Sequence, residues 1–252
     1  MMKVWGLTDI GLVRKENQDA YAVRASEESG HLVCVVCDGM GGPKGGKLAS
    51  ALAVETFLDS CLANLRRGMT AQEVQRVSEF AASAANSAVY QRSLEEPRLR
   101  GMGTTLVAAI AWEDQALLSN VGDSRAYLIR HEGAPGPTGL RRITKDHSLV
   151  ERLVDMGNIT EEEARVHPDR NLITRALGPE AETASDSYLV QLCPGDCILL
   201  CTDGLTETAT DQEMEREILR REDKNDCLDR LLALAMRRGA ADNVTAVLLQ
   251  QQ

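Results

Sequence analysis

Nine stretches of strand length run through this sequence: "KVWGLTD", "AYAVRA", "HLVCVVCD", "TTLVAAIAW", "QALLSNVG", "SRAYLIR", "DSYLVQL", "CILLCTDG" and "NVTAVLLQ". Several are joined by short turns; "WEDQ" reads as a tight hairpin and the Pro/Gly-rich "HEGAPGPTG" as a surface loop. Strands joined this way pair antiparallel, because a parallel neighbour needs a crossover of about a dozen residues or more.

Helical periodicity comes in two batches. After the glycines, Ala51, Val54, Leu58, Cys61 and Leu65 mark one apolar stripe at helical spacing. "TAQE", Thr70 to Glu73, makes a capping box ahead of a helix bearing Val74, Val77, Ala81, Ala84 and Ala88. Near the C-terminus "TDQE" opens another helix. "NDCLDRLLALAMRRG" ends as helices prefer, with Arg237 and Arg238 in its last turn and Gly239 just beyond. Helix pairs between blocks of hairpin-connected strands predict an α+β fold with helices covering antiparallel sheets. Residues 146 to 177 differ: they are polar, with two short helical pieces and a second capping box, Thr160 to Glu163. They read as a flap or as an inert surface insertion, within a single domain spanning 1–252.

Hydrophobic residues make up 43%, enough for a sizeable core, but only 3% are aromatic, so Leu, Val, Ala and Cys must build it. Lys and Arg total 28 against 38 Asp and Glu, a net charge of -10, which argues against nucleic-acid binding and docking on anionic lipid. No segment approaches the ~20 apolar residues that span a bilayer, and "MMKVWGLTDIG" lacks the apolar core of a signal peptide. A cytoplasmic protein without membrane insertion is expected. Seven cysteines in mostly apolar runs fit buried thiols better than disulfides. Zinc binding fits poorly: Cys34 and Cys37 face opposite sides of a strand, and Cys197 and Cys201 lie about 13 Å apart at strand rise.

Five carboxylates sit where strands start or stop. Asp38 ends "LVCVVC" and Asp203 ends "CILLC"; Asp19 begins "AYAV", Asp242 precedes "NVTAVLL", and Asp123 sits between two strands. In antiparallel sheets such ends meet along one rim of the sheet. Carboxylates gathered there raise one another's pKa values unless cations neutralise them. All the donors are oxygens, which suits Mg2+ or Mn2+ and not zinc. Two such ions about 3.5–4 Å apart would form a hydrolytic centre. Gly39, Gly41 and Gly42 leave bare backbone for close approach. Each carboxylate alone is an ordinary turn residue; only their coincidence points to a metal. A rival reading uses the same stretch: "GGPKGGKL" fills seven positions of a phosphate-binding G-x-x-x-x-G-K-[ST] loop, with Leu48 where the hydroxyl belongs. Otherwise Lys44 and Lys47 are solvated charges at a helix start.

"GLVRKENQDAY", "VVCDGMGG", "GMGTTLVAAI", "LSNVGDSRAYLIR", "ITKDHS", "LITRALG", "LLCTDGLTE" and "DNVTAVLL" follow in order. Together they resemble the PP2C-type (PPM) metal-dependent protein serine/threonine phosphatases in their compact bacterial form. The resemblance implies a four-layer α-β-β-α sandwich, two antiparallel sheets flanked by helix pairs with a small flap. It implies a dimetal centre, Mn2+ or Mg2+, whose activated water attacks phosphoserine or phosphothreonine in proteins. By position, Asp38 would bridge both ions and the Gly39 carbonyl would complete one shell. Asp203 and Asp242 would hold the first ion, Asp19 would act through its waters, and Asp123 would bind a third, weaker ion. Arg14 would clamp the substrate phosphate, a role its planar fork suits. The implied partners are phosphorylated proteins and a cognate Hanks-type Ser/Thr kinase, met by a monomer.

Two positions depart from the family pattern. Gln18 stands where Glu often precedes the aspartate, which touches one water-mediated contact. Met40 stands where many eukaryotic members carry a histidine general acid. His147 and His167 are alternative acids, each more ordinarily a turn or surface histidine. No Cys-x5-Arg signature is present, which argues against a cysteine-dependent phosphatase.

Overall fold

The computed structural model describes residues 2–131, 133–220 and 223–252; the side chains of Pro43 and Lys44 lie outside the described part, and with them the reading of Lys44. The chain begins with β1 (Met2–Asp9), β2 (Asp19–Ser26) and β3 (His31–Met40), then the long helices α1 (Gly42–Asn64) and α2 (Ala71–Glu95). Next come β4 (Gly103–Thr104), β5 (Leu106–Trp112), β6 (Gln115–Val121), β7 (Arg125–Arg130) and β8 (Gly139–Arg142). Short helices α3 (Leu149–Asp155) and α4 (Glu161–Arg165) precede β9 (Asp186–Gln191) and β10 (Cys197–Cys201). The last elements are α5 (Asp203–Thr206), α6 (Asp211–Leu219), α7 (Lys224–Arg237) and β11 (Val244–Gln251).

Two antiparallel sheets result. One runs β1-β11-β10-β7-β8, the other β2-β3-β5-β6-β9 with β4 continuing along β3. Strand alternation then builds three apolar layers. Cys34, Val36, Leu118, Leu200 and Val247 fill the space between the sheets. Cys37, Val35 and Ala108 meet α1 and α2 on one outer face, and Cys201, Leu199 and Leu248 meet α5 to α7 on the other. The predicted α+β, four-layer sandwich is what forms. Cys34 and Cys37 face opposite layers as period two requires, and all seven cysteines are free.

Some local details differ from the sequence reading. Val54, Leu58, Cys61 and Leu65 are buried as the stripe predicts, but Ala51 is exposed, and Ala53 and Phe57 complete the buried face of α1. Phe57 is 0% exposed, a burial worth about 1.5–3 kcal/mol. β3 does not stop at Asp38; it reaches Met40 by exchanging β5 for β4, with Gly39 opposite Thr104 and Met40 opposite Gly103. Asp203 is the first residue of α5 rather than a strand end. The capping boxes at Thr70, Thr160 and Thr210 all form. No helix among the described residues is long and apolar enough to cross a membrane.

Candidate metal and phosphate site

Asp19 and Asp38 stand directly opposite each other in the β2–β3 register. Asp203 and Asp242 flank the facing ends of β10 and β11, so the acidic rim spans both sheets, not one. Asp38, Gly39, Asp123, Asp203 and Asp242 line one cavity of about 930 Å³, with Arg14 and Lys47. Asp19 lies against this wall, its Oδ2 accepting from Thr202 Oγ1 at 2.9 Å across the sandwich.

The backbone around Asp38 is fixed from several sides. Its N–H donates to Thr105 Oγ1 at 2.9 Å, and its carbonyl accepts from Thr104 Oγ1 and from the Thr105 N–H. Thr105 Oγ1 also shares a 2.7 Å hydrogen bond with Ser124, beside Asp123. Gly39 is dictated by packing: a Cβ there would overlap the Gly46 carbonyl of α1. At Gly41, φ is 117° and a Cβ would meet Met102. Of these three glycines, only Gly42 faces open space.

Sequence reasoning missed the residues that hold the loop 10–18 in place. Asn243 is 4% exposed; its Nδ2 donates to the Ile10 and Glu16 carbonyls while its Oδ1 accepts from the Gln18 N–H. That loop presents Arg14, whose Nη2 lies 2.5 Å from Asp242 Oδ2. Gln18 Nε2 donates to the Gly42 carbonyl, tying the loop to α1. The "DN" pair ahead of β11 was the available signal, since a short amide side chain before a strand commonly bridges to backbone.

Electrostatics make this rim unlike the rest of the molecule. Burial, then repulsion from Asp203 and Asp19, holds Asp38 well above the carboxylate range. Burial and the Asp123 charge do the same to Asp203. Asp19 is raised by burial to about 6 and Asp123, by burial and Asp146, to about 7. Two oxygens, Asp19 Oδ1 and Asp203 Oδ1, are buried without a hydrogen-bond partner among the described residues. Such groups call for an unseen partner, and an all-oxygen set of carboxylates fits hard divalent cations. Asp38, Asp123, Asp203 and Asp242 share one cavity.

The remaining candidates separate cleanly. Neither His147 nor His167 lines the cavity. His147 Nδ1 accepts from the Gly122 N–H and its Nε2 faces Asp186 Oδ2 at 3.1 Å. That arrangement holds a neutral ring with its proton on Nε2, consistent with burial lowering its pKa. Lys47 points to Glu16 at 3.2 Å, and Leu48 packs on the core. Every named strand pairing is antiparallel, whereas a nucleotide-binding loop belongs to a parallel sheet. Burial pushes the Cys34, Cys37 and Cys201 thiols up, which leaves them poor nucleophiles.

Known proteins carry the same pattern. The family model described as protein phosphatase 2C matches residues 13–248. The "Serine/threonine phosphatase stp" of Listeria monocytogenes is 36% identical over 244 residues, 97% of this chain and 94% of that one. The serine/threonine phosphatase Stp1 from Staphylococcus aureus superposes with a TM-score of 0.91 at 32% identity, covering 100% of this chain and 96% of that one. The catalytic domain of the phosphatase PstP, solved in complex with two manganese ions, superposes with a TM-score of 0.82 at 34% identity, covering 99% and 97%.

Proposed function

This chain belongs to the protein phosphatase 2C family, and from that premise we propose that it is a metal-dependent protein serine/threonine phosphatase whose acidic rim holds two divalent ions. The observation that carries the proposal is one cavity lined by Asp38, Asp123, Asp203 and Asp242 with an arginine at its mouth. Asp38, Asp203, Asp242, Asp19 and the Gly39 carbonyl are the proposed ligands, with Asp123 as a weaker third position. When bound, such ions supply an activated water and neutralise charge on the phosphoryl group. Mn2+ and Mg2+ both suit these donors.

The protein's own groups do the rest. Arg14 is half exposed and pairs with Asp242 through one nitrogen, and its planar fork suits a phosphate at the cavity mouth. Thr105 and Asn243 keep Asp38 and the Arg14 loop in register. Among the described residues no imidazole lines the cavity, so aryl phosphates, whose leaving groups need little protonation, are expected to be good substrates. Residues 146–177 act as a flap on a single domain. The phosphatase acts as a cytoplasmic monomer opposing a Ser/Thr kinase. Hydrolysis of a phosphothreonine peptide with Mn2+, and then with excess EDTA, tests the reading. Turnover that stops with EDTA supports it, and no turnover by metal-loaded protein refutes it.

A further inference from the structure

Beside the acidic cavity lies a second one of about 420 Å³, bounded by Arg175, Pro179, Glu180 and Glu182. Met40 and Ile173 line both cavities, so one layer of side chains separates them. A polypeptide with its phosphorylated residue in the first cavity carries its neighbouring side chains past the second, since extended chain advances only about 3.3 Å per residue.

The wall of this cavity is anchored in the core. Asn86 on α2 is 1% exposed. Its Oδ1 accepts from the Gly178 N–H, and its Nδ2 donates to the Glu180 and Ala181 carbonyls. Thr104 and Leu177 exchange two backbone hydrogen bonds just ahead of that loop. Arg175 Nη1 donates to the Ala184 carbonyl and to Asp186 Oδ1 on the far side. A loop held this way is ordered before a ligand arrives, which lowers the cost of binding.

The charge on the wall is one-sided. Arg175 is neutralised by Asp186 at 2.8 Å. Glu180 and Glu182 are exposed, and among the described residues neither has an ion-pair partner. Met40, Ile173 and Pro179 offer apolar surface to an aliphatic stem, which is how lysine and arginine settle: stem on apolar surface, charge at the polar edge.

We infer that the second cavity is a specificity subsite for a lysine or arginine flanking the phosphorylated serine or threonine, with Glu180 and Glu182 as the residues that select it. The subsite rests on the phosphatase reading above. Its test compares kcat/KM for three phosphothreonine peptides that differ only at the two residues on each side of the phosphothreonine: all Ala, all Lys or all Glu. A small aryl phosphate serves as control for the catalytic cavity. The Lys peptide is expected to lead the Ala peptide by roughly 1.5- to 5-fold per carboxylate engaged, mainly through KM, with the lead shrinking in salt. Glu180→Gln with Glu182→Gln should erase that lead and leave aryl phosphate turnover unchanged. Glu180→Lys with Glu182→Lys should turn the preference toward the Glu peptide, which a merely structural role would not do. Aryl phosphate turnover without a peptide preference, or a Lys preference that survives both double variants, overturns the subsite alone. Failure of every substrate overturns the phosphatase reading and the subsite together.

Discussion

Among the places where this molecule withdraws carboxylates from water, two solve the problem in opposite ways. Asp146 is 7% exposed. Arg125 Nε contacts both its oxygens at 3.0 Å, and Arg125 Nη2 lies 2.6 Å from Oδ2. Arg142 reaches toward the same carboxylate while binding Glu151 at 2.5 Å. Two acids meet two bases, and the charge closes. Only two residues before Arg125, Asp123 belongs to the acidic rim, where five carboxylates gather, Arg14 pairs with Asp242, and two buried oxygens have no partner among the described residues. The first cluster is complete in itself and holds structure together. The second is incomplete by the protein's own means, as sites built to bind or react commonly are.

The largest effect that could break this contrast is on turnover. Asp38→Asn, nearly isosteric, should cut Mn2+-dependent phosphopeptide hydrolysis by about 10³-fold or more, since several kcal/mol of transition-state stabilisation go with the ions. Its metal-free melting temperature should not fall, because a repelling charge has been removed. Asp146→Asn should do the reverse in urea titrations, losing about 3–5 kcal/mol as the charges of Arg125 and Arg142 go uncompensated. Equal stability losses in the two variants would erase the distinction.

A pH series sharpens it. Carboxylates whose folded pKa is raised stabilise fully below their unfolded value near 3.8, and that stability drains as pH climbs through the folded pKa. With Asp19 at about 6 and Asp123 at about 7, the EDTA-treated protein should lose melting temperature between about pH 4 and 7, and Mn2+ should restore it. Asp38→Asn should flatten the slope. The smallest expected effect is that of Lys47→Ala. It removes one exposed pair worth about 0–1 kcal/mol, so phosphatase activity should stay within about twofold. A collapse of activity would revive the phosphate-loop reading of "GGPKGGKL".

What the sequence made legible follows from range. Asp38, Asp19 and Asp242 could be picked out because strand boundaries are local, and the capping boxes at Thr70 and Thr160 because all their partners lie within four residues. The two-sheet origin of the rim was not legible, since nothing near Asp203 says that β10 joins β11 while β3 joins β2. Asn243, Thr105 and Asn86 stayed silent for the same reason: their hydrogen-bond partners lie 225, 67 and 92 residues away. β4 is two residues long, too short for any period to register. Ala51 was assigned to the core because alanine carries little information about its own side of a helix.

The outermost strand of the first sheet has a consequence for the order of assembly. β1 hydrogen-bonds along its length to β11, Met2 opposite Gln251 and Asp9 opposite Val244. A nascent chain therefore carries residues 2–9 without their strand partner until residues 244–251 have been made. Asp242 and Asn243 come just ahead of β11, so the Arg14 loop, made near the start, waits for the residue that ties it down. The β2-β3-β5-β6 sheet and its helices can form earlier, bearing Asp19, Asp38 and Asp123 but no finished site. A copy interrupted before residue 242 would thus lack the partner of β1, the carboxylate that pairs with Arg14 and the amide that ties its loop down.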